Sequence, residues 1–421
     1  MIENFEEEQV QHLKRNCPIC QTEYGSVLGC LKYTLFDESY LNDTFNVVCC
    51  NKCGFVFYDT TSSQNDYDCY YENSFYSSTY INRKIDFNEM KYVTQTLNNL
   101  SQYIINKNIS IFDIGCGTGL LLKKLNTLGY KNLYGIDPSL SCVNLLNKNK
   151  KIQTKIGSLS NIPFNNIKAD VIILSHIIEH VIDLQLAFKN INDKISDNGL
   201  IYVEVPNTLN YNISNSPIRF FYPQHVNHFD VFSLNNLFEN NGYIKIKNGC
   251  HLRIEGDLSM PCIWGIYRKD NSLNTNNIFN IKNMSSNFNL TQKIKKWFNN
   301  ISFSTLDNDN ILINLANSNK SVYIWGIGIH TQMMLSMSPL KNCNIKCFVD
   351  SDKRNHKKTI KDKKIYPIDI LYNATEHDTV FIGAPTHNEV MYNELVNKIK
   401  FKGNIIICRF EDIFLATDLS L

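Results

Sequence analysis

The sequence predicts an α/β protein in three parts: a small cysteine-rich β region, a central doubly wound sheet of the Rossmann-like kind, and a smaller Rossmann-like sheet. Three observations predict it. Two C-x-x-C pairs, Cys17–Cys20 and Cys50–Cys53, lie in the first part. A strand, a glycine loop, a helix, a second strand and an acid follow in order from Ser110 to Asp137. The same order recurs from Val322 to Asp350. Alternation of strands and helices implies a parallel sheet with helices on its faces.

Composition sets the limits. A chain of 421 residues is too long for one ordinary domain. Hydrophobic residues make up 43% and aromatics 12%, enough for several cores. A net charge of +2 lacks the basic excess of a nucleic-acid binder, so no such partner is expected. The opening MIENFEEEQVQHLKRN is acidic and has no apolar core, unlike a secretory signal. No apolar run reaches the ~18 residues of a spanning helix, so no membrane partner is expected. Fourteen cysteines in clustered spacing suit a reduced, cytoplasmic chain with a metal site better than a disulfide scaffold.

Residues 1–80 form the first region. Two C-x-x-C turns can present four thiolates, Cys17, Cys20, Cys50 and Cys53, tetrahedrally to one Zn²⁺. Gly54 suits the tight turn after the second pair. A strand-like stretch separates the pairs, and Phe55 to Tyr58 is another strand signal. The expected unit is a zinc ribbon. With all four positions filled by protein, its Zn²⁺ would be structural. The tyrosine-rich YDCYYENSFYSSTY then reads as a packed aromatic linker, or as a wall over the next domain.

Residues 81–268 form the second region. Ser110–Ile114 is a buried strand, Gly115-Cys116-Gly117-Thr118-Gly119 a loop, and Leu120–Leu128 a helix. The second strand, Leu133–Ile136, ends at Asp137, 18 residues beyond Gly119. Glycines let backbone approach a ligand, and such an acid can hold ribose hydroxyls. Val171–Leu174 and Leu200–Glu204 are further strands. Residues 269–320 are a polar linker with one helix, Leu290–Phe298, whose apolar face is Ile294, Trp297 and Phe298. In residues 321–421 the expected strands start at Val322, Ile345, Val380 and Ile405. The loop Gly326-Ile327-Gly328 lacks the third glycine of a dinucleotide fingerprint, which favours a substrate-holding domain over a nicotinamide site.

The run from Asp113 to Gly119, D-I-G-C-G-T-G, resembles the first motif of class I S-adenosylmethionine-dependent methyltransferases. That resemblance implies S-adenosyl-L-methionine as cofactor. It places Asp113, Gly115, Cys116, Gly117 and Gly119 around the amino-acid part and Asp137 on the ribose. Gly157-Ser158-Leu159 to Pro163-Phe164 resembles the family's adenine-side loop, which adds Ser158 and Leu159. ADVIILSHIIEHVID resembles the fourth strand and its exit, with Ser175 and His176 beside the methyl donor. Glu179 and His180 come one helical turn later.

Taken together, the three parts resemble the bacterial sugar C-methyltransferases that act on nucleotide-linked deoxy-keto sugars. This implies a sugar-nucleotide substrate, a structural zinc, and a C-terminal domain that completes the substrate site. It also implies a base for the carbon beside a ketone. The family's YHEHxxYF-like run aligns with Tyr222 to Phe229. Tyr222, His225 and Phe229 match, whereas Pro223, Gln224 and His228 depart. His225 is the candidate base, with Tyr222 assisting and Gln224 orienting; His228 and His176 are further candidates. Glutamine supplies none of the charge by which a carboxylate makes histidine more basic. Methylation of oxygen or nitrogen, which needs orientation and one base, is therefore an alternative. An NAD(P)-dependent oxidoreductase and a non-catalytic S-adenosylmethionine-binding scaffold are the others.

Overall fold

A computed structural model describes residues 10–74, 87–213, 220–255, 258–270, 287–300, 309–385, 387–409 and 412–415. Residues 75–80 of the tyrosine-rich run, Arg219 and much of the 269–320 connection lie outside them. The chain divides into two compact units, Met1–Leu28 with Val47–Lys293 and Gly29–Asn46 with Ile294–Leu421.

The strands begin with β1 (Val10–His12), β2 (Tyr24–Lys32), β3 (Thr44–Cys50) and β4 (Val56–Asp59). Next come β5 (Ser110–Ile114), β6 (Asn132–Asp137), β7 (Ile152–Ile156), β8 (Ala169–Ser175) and β9 (Ile195–Pro206). β10 is only Asn227–His228, and β11 (Tyr243–Glu255) and β12 (Leu258–Lys269) form a long hairpin. They make two sheets, ordered β1-β2-β3-β4-β10 and β11-β12-β9-β8-β5-β6-β7.

In the second sheet β6, β5, β8 and β9 run parallel, and their apolar residues are buried on both faces. That explains why the SIFDI and VIIL runs are nearly unbroken hydrophobic stretches. Two helices of this unit start where polar side chains cap them. Asp183 accepts from Leu186 N at 2.9 Å ahead of the helix Leu184–Lys194. Asp230 and Ser233 form a reciprocal capping box on Val231–Asn240. In its described part the tyrosine-rich run belongs to a helix, Gln64–Ser74, with Tyr67 fully buried.

The second unit holds β13 (Val322–Trp325), β14 (Ile345–Val349), β15 (Thr359–Ile360), β16 (Lys363–Tyr366), β17 (Thr379–Ile382), β18 (Asn404–Arg409) and β19 (Asp412–Leu415). Their order is β15-β16-β14-β13-β17-β18-β19, with β16, β14, β13, β17 and β18 parallel. Among the described residues, no helix is long and apolar enough to cross a membrane.

Candidate functional site

The glycine loop sits at the carboxyl end of β5, where open α/β sheets hold ligands. Gly115, Gly117 and Gly119 all have positive φ, at 74°, 52° and 70°. A Cβ at Gly115 would run into Ile177, and one at Gly119 into Leu146. The loop is therefore both left-handed and tightly packed, which only glycine allows. The Gly117 amide donates to Asp137 Oδ2 at 2.7 Å, and the Ser139 amide to Oδ1 at 2.9 Å. Asp137 is thus fixed directly beneath the loop.

Asp113 and Asp137 are both buried. Burial, then the charge of Asp137, pushes the Asp113 carboxyl up to about 7. Burial also raises Asp137, against the two amides that favour its charge. Two buried carboxyl groups beside backbone donors fit a ligand that brings hydroxyl donors and a positive charge. That is the donor set S-adenosylmethionine would need. Cys116 lines the loop from inside, with its thiol raised chiefly by burial. Leu159 is buried, and Ser158 bridges to Asn161 in the turn beyond β7. Asn190 Nδ2 donates to the carbonyls of Leu159 and Ser160 at 2.8 and 2.9 Å and holds that turn.

At the end of β8, Ser175 is half-buried and His176 takes φ = 56°, unusual for a residue with a Cβ. The turn aims the His176 ring between two carboxylates. Nδ1 lies 3.1 Å from Glu179 Oε1, and Nε2 lies 3.3 Å from Glu204 Oε1. Burial and Arg253 push the His176 pKa down, but Cys262, Glu179 and Glu204 outweigh them and hold it well above its ordinary value. Glu204 also faces His251 Nε2 at 3.4 Å and Arg253 Nη1 at 3.5 Å, and it accepts from the Tyr202 hydroxyl at 2.6 Å. Burial raises the Glu204 pKa, yet its histidine partners and Arg253 bring it well below the usual range. A histidine held as a cation has no free lone pair, so His176 reads as a charged strut, not as a base.

The run Phe220–Phe229 splits in two. Asn227 and His228 are β10, paired antiparallel with Phe57 and Val56 of β4. His228 is packed among Tyr58, Phe221 and Tyr211, and burial followed by Arg15 lowers it to about 3. Its ring belongs to the core. Asn227 Nδ2 donates to the carbonyls of Ile178 and Val181 at 2.9 and 2.7 Å, tying this run to the exit of β8.

Upstream, His225 and His180 come together with ring centroids 4.9 Å apart. Tyr222 lies 6.3 Å from the His225 ring. Gln224 turns away, donating to the Tyr70 hydroxyl at 2.6 Å. His225 Nδ1 lies 3.1 Å from the Phe220 carbonyl. Burial, then His180, His228 and His176, holds the His225 pKa well below its ordinary value. Burial also lowers His180, against Glu179 and the Gln224 carbonyl. Near neutral pH both rings are uncharged.

The four cysteines converge as their spacing predicts. Cys17 and Cys53 Sγ are 3.5 Å apart, Cys20 and Cys50 Sγ 3.4 Å, and all four lie within 4.8 Å of one another. A tetrahedral S₄ site with Zn–S of about 2.3 Å has sulfur separations of about 3.8 Å. Gly54, at φ = 72°, donates its amide to the Cys50 carbonyl at 2.8 Å and closes the second turn. This buried donor set fits one Zn²⁺.

The sequence reading did not single out Glu204, His251 or Arg253. The only signal was His251 and Arg253 two apart on β11, which puts both on one face of the strand.

Fold and site together define a Rossmann-like domain with an acid-anchored glycine loop. Residues 84–247 match the model of the family described as Methyltransferase domain, and residues 318–407 match that described as C2185-like, N-terminal. The ubiquinone biosynthesis O-methyltransferase of Pelagibacter ubique is 35% identical over 106 residues, 24% of this chain and 43% of that protein. That of Azorhizobium caulinodans is 26% identical over 106 residues, 24% of this chain and 42% of that protein. The chain thus spans less than half the length of these curated relatives. Among solved structures, N-methyltransferase NodS from Bradyrhizobium japonicum is 17% identical with a TM-score of 0.34, covering 44% of this chain and 97% of that one. The magnesium protoporphyrin IX methyltransferase of Synechocystis is 14% identical with a TM-score of 0.35, covering 45% and 90%. Residues 84–247 are thus similar to a methyltransferase domain, on the Rossmann-like sheet described above.

Proposed function

We propose that the chain is an S-adenosylmethionine-dependent methyltransferase acting on a nucleotide-linked keto-sugar or a related glycan precursor. The observation that carries the transfer reading is the glycine loop bonded to Asp137 at the carboxyl end of β5. When bound, the cofactor supplies an electrophilic methyl group on a sulfonium. Asp137 accepts from the ribose hydroxyls, Asp113 and the Gly115–Gly119 backbone surround the amino-acid end, and Ser158 and Leu159 flank the adenine. Ser175 and the His176 strut close the floor beside the reacting atoms.

His225 is the candidate general base. Its Nδ1 faces a carbonyl, which can only accept, so that nitrogen holds the proton and Nε2 is left to take one. Tyr222 and Gln224 shape the same wall. Zn²⁺ on Cys17, Cys20, Cys50 and Cys53 is structural in this reading. A reducing, cytoplasmic compartment suits its thiols, and the substrate is a small molecule.

A second reading is methyl transfer to a hydroxyl. It is supported by the absence of a carboxylate on His225, since Gln224 is neutral and directed to Tyr70. It is also supported by the matched proteins' name, O-methyltransferase. Incubation with keto-sugar nucleotides in heavy water, without methyl donor, separates the two. Exchange at the carbon beside the ketone that is lost in His225→Ala supports carbon methylation. Methyl transfer on adding donor, without prior exchange, favours oxygen. Near-normal turnover in His225→Ala removes the base assignment. Thermal stabilisation by NAD(P)H but not by S-adenosylhomocysteine would overturn the transferase reading itself.

A further inference from the structure

We infer that Glu179, His180 and His225 form a binding site for one divalent transition-metal ion, distinct from the four-cysteine cluster. One ligand atom from each lies within 4.8 Å of the others. Both imidazoles are oriented by backbone carbonyls. His180 Nδ1 lies 2.9 Å from Gln224 O, and His225 Nδ1 lies 3.1 Å from Phe220 O. A carbonyl only accepts, so each Nδ1 carries the proton and each Nε2 a lone pair; the Tyr71 hydroxyl, also 2.9 Å from His180 Nδ1, can share that proton as a second acceptor. This carbonyl-anchored imidazole is the outer-shell arrangement that metal-ligating histidines show.

The third group completes the argument. Glu179 is 1% exposed; its Oε1 lies 3.1 Å from His176 Nδ1, and its Oε2 has no hydrogen-bond partner among the described residues. His180 Nε2 stands 3.8 Å from its Oε1. The nearby His176 is shared with Glu204 and has both nitrogens facing carboxylates, so it is not a ligand. Two imidazoles and a buried carboxylate converge, and the charge of the His176 ring beside Glu179 is divided with Glu204. A further positive charge joining this carboxylate would offset the cost of burying it. Two nitrogens and one oxygen suit Fe²⁺, Co²⁺, Zn²⁺ or Mn²⁺, whereas Mg²⁺ and Ca²⁺ prefer oxygen alone. Three protein ligands leave coordination positions open to solvent or an acceptor oxygen. The inference does not rest on the methyl-transfer reading. The ion and an abstracted proton compete for the same Nε2 of His225, so the two occupancies exclude one another.

The test uses the full chain with its cysteine site loaded with zinc, titrated with Co²⁺ by calorimetry and visible absorption. One further Co²⁺ per chain is expected, with d–d bands and no sulfur-to-cobalt charge transfer. Glu179→Gln and His180→Asn should each weaken that binding by more than about 100-fold, beyond the roughly 10–100-fold typical of outer-shell changes. The thermal transition and zinc content of each variant report its folding. Should Glu179→Gln fail to fold, His225→Asn, at a ring less buried than Glu179, carries the same comparison. No Co²⁺ bound beyond the cysteine site, binding undiminished in the folded variants, or a charge-transfer band from sulfur would each overturn the inference.

Discussion

Replacing Asp113 by Asn tests the electrostatics beneath the glycine loop. The side chain is buried in β5, and its carboxyl is pushed from 3.8 to about 7. An acid whose pKa is raised by folding stabilises the fold least when it is ionised. Its penalty is absent below the unfolded pKa, grows as pH rises towards about 7, and is constant above that. A gap of about 3 pKa units, at 1.36 kcal/mol each, is about 4 kcal/mol. Asn cannot ionise, so Asp113→Asn should match the unmodified protein near pH 4 and exceed it by up to about 4 kcal/mol near pH 8. Hydrogen exchange of the β5 and β6 amides, corrected for intrinsic rates, measures opening of this sheet alone. The same substitution should weaken binding of S-adenosylhomocysteine. Parallel loss of protection with pH in both proteins, or a variant weaker at the alkaline end, would refute the reasoning.

Two other predictions follow from the buried charges and thiols. Glu204→Gln removes the anion shared by His176, His251 and Arg253, and should cost about 3–5 kcal/mol at neutral pH in denaturant titration. Because the Glu204 pKa is depressed on folding, that difference is present above the ordinary glutamate range and should shrink as pH falls through the folded value. Cys20→Ser or a strong chelator should release bound zinc and unfold the hairpin of β3 and β4, since such sites contribute about 10–16 kcal/mol of apparent binding energy. Zinc content and exchange at residues 44–59 check this, and retained protection without metal counts against a structural role.

Much of the architecture was legible because its signals are local. Ser110–Ile114 was read residue for residue, since a strand buried on both faces is a nearly unbroken apolar run. The C-x-x-C pairs and positive-φ glycines likewise carry their geometry in their spacing. The charge network was not legible, because Glu204, His251 and Arg253 meet only through the pairing of β9, β12 and β11. The histidines of the Phe220–Phe229 run were ambiguous for a related reason. Three positions apart in sequence, His225 faces a partner ring while His228 enters a strand of the other sheet. No periodicity distinguishes them; only the pairing with Val56 and Phe57 does.

That two-residue pairing has a consequence of its own. β4 follows directly on the knuckle that carries Cys50 and Cys53, and β10 hangs from β4 as its last rung. The wall bearing Tyr222 and His225 is thus suspended from the cysteine cluster. A Zn²⁺ held there would act as the anchor of a tether: releasing it would slacken the line that holds His225, the proposed base, in register. Turnover should therefore fade on zinc loss while the glycine loop, built on separate strands, still accepts its cofactor.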